Sequence, residues 1–223
     1  MTPRGADRSH RRAIGVVVAP VPTALGVHLL RGVRLVDHAV RALVETSGCD
    51  VVVVDAEPAA PGGAAAHASD EVRTVRPGLP LSRLAAGYDV VLVHDPLCPL
   101  VPARALSACL DAVGPDGAVV GVLPVTDTVK RVEADVIIST VDRDSLRLLA
   151  APVAFAASLV PALGRLLPRA HDLHDLVRLV GVLGDLATVV PVQVPARGRR
   201  VDDAEDVAVL ECLGGHAQAL PDA

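Results

Sequence analysis

Aromatic residues are almost missing from this chain: 223 residues include one Phe, one Tyr and no Trp. Without aromatic platforms, recognition of single-stranded nucleic acid by base stacking is not expected. Lysine is equally scarce, Lys130 standing alone among 21 basic side chains, the rest being arginine. The formal net charge of −5 supplies no long-range attraction to DNA or to an anionic bilayer, so neither nucleic acid nor membrane is expected as a partner. The four cysteines, Cys49, Cys98, Cys109 and Cys212, are far apart and form no CxxC pair. They read as small reduced residues rather than as a zinc site or disulfides. No apolar run reaches the ~18 residues that a membrane span needs. The polar, basic stretch 1–12 is not followed by a signal-type apolar region, and a cytoplasmic location is expected.

What the chain does have is aliphatic surface. Hydrophobic residues make up 51% of it, so the core must be built from Val, Leu and Ala, which suits buried parallel strands covered by helices. Short β-branched runs at Ile14–Val18, Val51–Val54, Val90–Val93 and Gly117–Leu123 predict buried strands. Helical spacing is read at Leu30–Val44, Pro102–Val113, Ala154–Leu167, Leu173–Leu183 and Ala204–Leu213, with a last strand at Ala187–Val192. The stretch Glu57–Ser69, rich in Ala, Pro and Gly, reads as a surface loop. Alternating β-formers between Thr126 and Ser145 predict an extended ribbon. The expected architecture is a single α/β domain over residues 13–213, a mostly parallel sheet with helices on both faces and a protruding ribbon arm at about 126–145. Residues 1–12 and 214–223 read as tails, the first of them disordered.

Ligands of such sheets bind beyond the carboxyl ends of the strands. That rule singles out Ala19–Leu25, His94-Asp95 and Thr126–Thr128. Asp95 at a strand end could hold Mg²⁺ or accept a bond from a sugar hydroxyl; it could equally cap the next turn. Arg143 beside Thr140 suits a phosphate oxygen, though pairing with Asp142 or Asp144 is the simpler role. The basic cluster Arg197-Gly-Arg-Arg200 is either a phosphate contact or a solvated loop. His171 and Asp175 share a helical face if a helix spans them, a spacing that binds metal only with further ligands; a helix-N-terminal carboxylate is the alternative. GxSxG, Walker A, HExxH and GxGxxG patterns do not occur.

Three segments in order, Val91-Leu-Val-His-Asp-Pro-Leu-Cys-Pro99, Pro124-Val-Thr-Asp-Thr-Val-Lys-Arg131 and Thr140-Val-Asp-Arg-Asp-Ser-Leu146, resemble one family. They are similar to the motifs VHDAARP, PV-x-DT-[IVM]-KR and TVDR-x-GL of the 2-C-methyl-D-erythritol 4-phosphate cytidylyltransferases. Ala204–Glu211 resembles that family's PEDLALAE helix, so the likeness runs over roughly residues 14–213. The resemblance implies a Rossmann-like nucleotidyltransferase fold and a homodimer formed through the ribbon. It implies transfer of CMP from CTP to a sugar-alcohol phosphate with Mg²⁺, a step of isoprenoid precursor synthesis. By match, Asp95 is the catalytic and metal-binding carboxylate, Arg200 stands at the catalytic lysine, and Thr128 and Arg143 contact the sugar phosphate. Ala19 and Ser82 fall in the segments that match the family's nucleotide-binding elements.

The sequence departs from the family at the nucleotide. Where the family has a glycine loop with Arg and Lys, this chain has Val18–Leu30, which holds Pro20 and Pro22 and no Arg or Lys. Proline lacks the N–H that a phosphate nest requires. Leu97-Cys98 replaces the arginine of HDAARP, and Pro77–Ser82 replaces the GG-x-x-R-x-DS segment. Two alternatives to the cytidylyltransferase reading follow: a catalytically inactive paralogue acting as a binding or regulatory partner, and a nucleotidyltransferase of altered specificity using Arg199 and Arg200.

Overall fold

The computed structural model describes residues 11–19, 25, 28–55 and 72–216. The surface loop expected at Glu57–Ser69, the prolines Pro20 and Pro22, and most of both expected tails lie outside these residues. Arg11 and Arg12 do not: Arg11 Nη1 donates to the Val113 carbonyl at 2.8 Å, and the Arg12 carbonyl accepts from Asp89 N–H at 2.8 Å.

The chain opens with β1 (Ala13–Val18), every residue of which is buried. A minimal hairpin, β2 (Leu29–Leu30) and β3 (Val33–Arg34), turns on Arg31 and Gly32, both at positive φ. Two consecutive left-handed residues give the turn whose twist matches the strands it joins, and glycine meets that demand without strain. Helix α1 (Leu35–Val44) buries Leu35, Ala39, Val40 and Leu43. It lies so close to β1 that a Cβ on Gly15 would sit 2.8 Å from a Leu43 methyl. After it come β4 (Cys49–Val54), β5 (Val72–Val75) and the one-turn α2 (Leu81–Leu84). Then follow β6 (Val90–His94), α3 (Ala103–Ala112) and β7 (Ala118–Pro124). The ribbon is β8 (Val129–Glu133) paired antiparallel with β9 (Val136–Val141). The chain returns as β10 (Arg147–Ala156), α4 (Val160–Leu163), α5 (Leu176–Leu186), β11 (Val189–Gln193) and α6 (Ala204–His216).

Seven strands form one sheet in the order β11-β7-β10-β6-β1-β4-β5. All neighbours are parallel except β10, which runs antiparallel between β6 and β7. The expected α/β architecture with its ribbon is therefore present, with two corrections. Leu30–Arg34, read as the start of a helix, form the β2–β3 hairpin, whose left-handed turn at Arg31 and Gly32 breaks the helix before Leu35. Ala154–Leu167 is not a helix: Ala154–Ala156 complete β10, a 3₁₀ turn follows, and only Val160–Leu163 is α-helical. Central strand pairing and burial of Phe155, the largest fully buried side chain, override the helical preference of an Ala-rich segment.

The core is aliphatic, filled by Val, Leu and Ala from both sheet and helices. A second small cluster gathers Leu25, Leu30, Leu35, Leu97, Val201, Val207 and Leu210. It clamps the β2–β3 hairpin, the turn after β6 and α6 together. At the opposite end of the sheet Tyr88 donates to Asp50 at 2.7 Å and lies 5.0 Å beneath the Arg12 guanidinium. Cys49, Cys98 and Cys109 are free, and burial pushes all three thiols up to about 12.

Candidate active site at the strand ends

Val18, His94 and Asp95 lie where β1 and β6 end side by side, with Val17 opposite His94 in register. Asp95 follows four buried apolar residues, so its carboxylate emerges where the sheet stops. One oxygen closes a tight turn by accepting the Leu97 N–H at 2.8 Å. The other accepts Arg200 Nε at 3.1 Å across 105 residues of sequence. Asp95 thus caps a turn, one of the two roles read from the sequence, and its carboxylate also lines the cavity. The contact is anchored from behind: Val201 N–H donates to the Leu97 carbonyl at 2.7 Å, and both side chains are buried in the second cluster.

Arg200 reaches a second carboxylate as well, donating Nη1 to Asp202 Oδ1. Burial opposes its charge, but Asp95 and Asp202 together outweigh that and hold its pKa above the ordinary value. Neighbouring Arg199 is fixed to Asp206 at 2.5 Å, and Asp206 also accepts the Asp202 N–H at 2.9 Å. The cluster 197–200 is a corner tied by ion pairs, with Arg199 and Arg200 still exposed to solvent and Gly198 buried against Val101.

Two adjoining cavities share Asp95, His174, Leu176 and Arg200. The smaller, about 70 Å³, reaches Val18, His94 and Leu173; the larger, about 370 Å³, has Cys98, Leu149–Ala151, Asp175 and Val177 on its walls. His94 is buried, and neither ring nitrogen has a hydrogen-bond partner among the described residues. Burial alone lowers its pKa to about 4, so it is neutral at pH 7. His174 bonds the His171 carbonyl through Nδ1 at 2.8 Å, and the two imidazoles stack 4.6 Å apart. The His171–Asp175 pairing expected on a helix does not form. The segment is a 3₁₀ turn, which aligns residues three apart, while Asp175 caps α5 by accepting the Arg178 N–H at 3.0 Å.

The other sequence-derived residues are dispersed. Thr128 is exposed at the root of the ribbon. Arg143 donates to the Thr126 carbonyl at 2.5 Å, holding the two ends of the ribbon together, and pairs with neither Asp142 nor Asp144. Neither residue contacts Asp95 or Arg200 among the described residues. Ala19 is buried with its N–H bonded to the Val54 carbonyl at 2.8 Å, so that amide is not free for a phosphate. Ser82 is exposed on α2. Sequence reasoning missed Asp202, His174 and the wall Leu149–Ala151. Only the first left a signal, an acidic pair one residue after the arginine cluster.

For Mg²⁺ the fit is limited. Among the described residues no three His, Cys, Asp or Glu side chains converge. Magnesium commonly uses one or two carboxylates together with substrate phosphates. Asp95 could be one such ligand, through the lone pairs that its bonds to Leu97 and Arg200 leave open. The residues present do not build a resident metal site, and an ion would have to arrive with a triphosphate.

A mostly parallel sheet interrupted by one antiparallel strand, with an acid–arginine pair at its strand ends and a ribbon arm beyond, defines the Rossmann-like nucleotidyltransferase class. Solved structures share that fold. A 4-diphosphocytidyl-2C-methyl-D-erythritol synthase from Anaerococcus prevotii superposes with a TM-score of 0.69 at 16% identity, covering 92% of this chain and 96% of that one. The 2-C-methyl-D-erythritol 4-phosphate cytidylyltransferase from Thermus thermophilus gives 0.63 at 23% identity, covering 90% and 98%. The family model for 2-C-methyl-D-erythritol 4-phosphate cytidylyltransferase matches residues 26–213, and the chain belongs to that family. Its relatives include the enzyme of that name from Streptomyces coelicolor, 36% identical over 203 residues, 79% of this chain and 73% of that protein. Another, from Saccharopolyspora erythraea, is 34% identical over 222 residues, 93% of this chain and 95% of that protein.

Proposed function

We propose that this chain transfers CMP from CTP to 2-C-methyl-D-erythritol 4-phosphate, serving isoprenoid precursor synthesis, with Asp95 and Arg200 at the reaction centre. The observation that carries the reading is their meeting at 3.1 Å, from positions that match the family's strand-end aspartate and late lysine. In this reaction an oxygen of the sugar phosphate attacks the α-phosphorus of CTP. One P–O bond forms, the bond to the β-phosphate breaks, and pyrophosphate leaves. The nucleophile is already ionised, so no general base is required, and catalysis is alignment plus stabilisation of charge. Arg200 is the cation at hand for that charge; removing one such group typically costs ~3–4 kcal/mol of transition-state stabilisation. Magnesium, if it enters with CTP, would add charge neutralisation there. Thr128 and Arg143 belong to the ribbon and would serve the site of a second copy, in a homodimer held through the arm. The apolar side chains of Val132, Val136, Ile137 and Ile138, all exposed on the ribbon, support that assembly. A cytoplasmic setting accords with the reduced thiols.

A second reading is a member that binds ligand or a partner without turnover. It is favoured by Val18–Leu30, which lacks Arg and Lys and carries Pro20 and Pro22, and by an Asp95 whose two oxygens are both engaged. The reading with altered specificity has less support, because Arg199 is fixed to Asp206. Titration calorimetry with CTP and Mg²⁺, followed by a coupled pyrophosphate assay with methylerythritol phosphate, separates them. Release requiring both substrates supports the enzyme. CTP binding without release supports the non-catalytic member. Absence of CTP binding refutes the cytidylyl reading.

A further inference from the structure

Arg200 is the cation of the strand-end site, and it is held between two carboxylates, Asp95 and Asp202. A guanidinium offers bidentate recognition along two edges, Nε with Nη2 and Nη1 with Nη2. Asp95 takes Nε and Asp202 takes Nη1, so carboxylates already occupy donors on both sides of the guanidinium. A phosphate reaching Arg200 competes with both of them. The two carboxylates differ in how firmly they are built in. Asp95 is 11% exposed and held by the Leu97 N–H. Asp202 is 68% exposed at its side chain.

Asp202 is nonetheless not a wandering surface residue. Its N–H is bonded to Asp206 at 2.9 Å; Asp206 also binds Arg199, and Asp203 accepts the Asp206 N–H at 2.9 Å. One residue earlier, Val201 is fully buried and bonded to Leu97. The backbone on both sides of Asp202 is thereby held, which places its exposed carboxylate beside the guanidinium. The trio of Asp95, Arg200 and Asp202 carries a net negative charge at the mouth of a site meant for phosphates.

We infer that Asp202 is a built-in competitor for phosphate, occupying the Arg200 fork in the resting protein and weakening the site for anionic ligands until it is displaced. The inference rests on the strand-end site being the phosphate site. It names Asp202 as a residue that sets ligand affinity by positioning Arg200, without itself taking part in bond making.

The test reads anion binding rather than turnover, so it is independent of whether CMP is transferred. Inorganic pyrophosphate is titrated calorimetrically into the wild-type protein at low ionic strength, then into Asp202→Asn and Asp202→Ser. Asp185→Asn, an exposed carboxylate at the end of α5, controls for net charge. Freeing the fork and removing one like charge within several ångströms of the ligand should tighten binding about tenfold in both Asp202 variants, a gain that shrinks with salt. The Asp185 variant should bind as the wild type does. In an Arg200→Ala background the Asp202 substitution should give no gain beyond that control. Equal affinities for wild type and both Asp202 variants, no pyrophosphate binding by the Asp202 variants, or a gain that survives loss of Arg200 would each overturn the inference.

Discussion

Acidification should destabilise this protein through one buried imidazole. His94 is fully enclosed at the end of β6, with no hydrogen-bond partner for either nitrogen among the described residues, and burial lowers its pKa from 6.5 to about 4. The unfolded chain therefore binds a proton on His94 at a pH where the folded one does not. Stability from this group is full above pH 7, falls as pH drops through 6.5, and levels off near pH 4. The plateau loss is about 3 kcal/mol, and between pH 7.5 and pH 5 the loss is about 2 kcal/mol. Asp95, Arg200 and His174 border the same cavity, so the measurement must be differential. Urea unfolding is followed at both pH values for the wild type and for His94→Leu, a non-titrating side chain of similar bulk. With a denaturant slope near 2 kcal/mol/M, the wild-type midpoint should fall by roughly 1 M more than that of the variant. At pH 7.5 the variant should be no less stable, since a buried polar group without partners itself costs about 1–3 kcal/mol. Parallel losses in the two proteins, within about 0.5 kcal/mol, would show that His94 is hydrated or partnered and refute the reasoning.

Gly121→Ala on β7 should lower stability by about 1–3 kcal/mol, seen as a melting temperature reduced by several degrees. The added Cβ would lie 2.7 Å from the Ala151 carbonyl oxygen and 2.8 Å from its carbon, backbone atoms that cannot step aside. Ile137→Asp places a charge on a residue 64% exposed on β9, so the isolated protomer should keep its stability within about 0.5 kcal/mol. If the ribbon is the dimer contact, light scattering should find a dimer in the wild type and a monomer in this variant. A wild-type monomer at micromolar concentration would remove the ribbon assembly from the proposal.

The strands that the sequence revealed best are those with uniform chemistry. Ile14–Val18, Val51–Val54 and Val90–Val93 are continuous β-branched or aliphatic runs, which few other contexts tolerate, and each became a central strand. The ribbon was legible because its alternation differs from its surroundings. Strand β10 was not, because Leu148-Leu-Ala-Ala-Pro152 has no strand-like composition and its pairing with β6 and β7 is settled by distant partners. At the site, Asp95 was legible from position alone, since a carboxylate ending a buried strand must emerge at the sheet's edge. That Arg200 would meet it was available only through the likeness to a family. Asp202 and His174 depend on a tied corner and a 3₁₀ turn, local geometries that leave almost no periodic trace.

The scarcity of aromatics gives the molecule a single natural chromophore in its near-ultraviolet emission. Tyr88 lies just ahead of β6, hydrogen-bonded to Asp50 and covered by Arg12, while Asp95 lies just past the other end of the same strand. Six residues separate them, a span of roughly 20 Å. Intrinsic fluorescence therefore reports on the sheet edge opposite the cavities: unfolding releases Tyr88 and becomes visible, whereas a ligand settling beside Arg200 leaves the signal unchanged. A tryptophan placed at exposed Val177, on the wall of the larger cavity, would give the site an optical reporter of its own against an otherwise dark background.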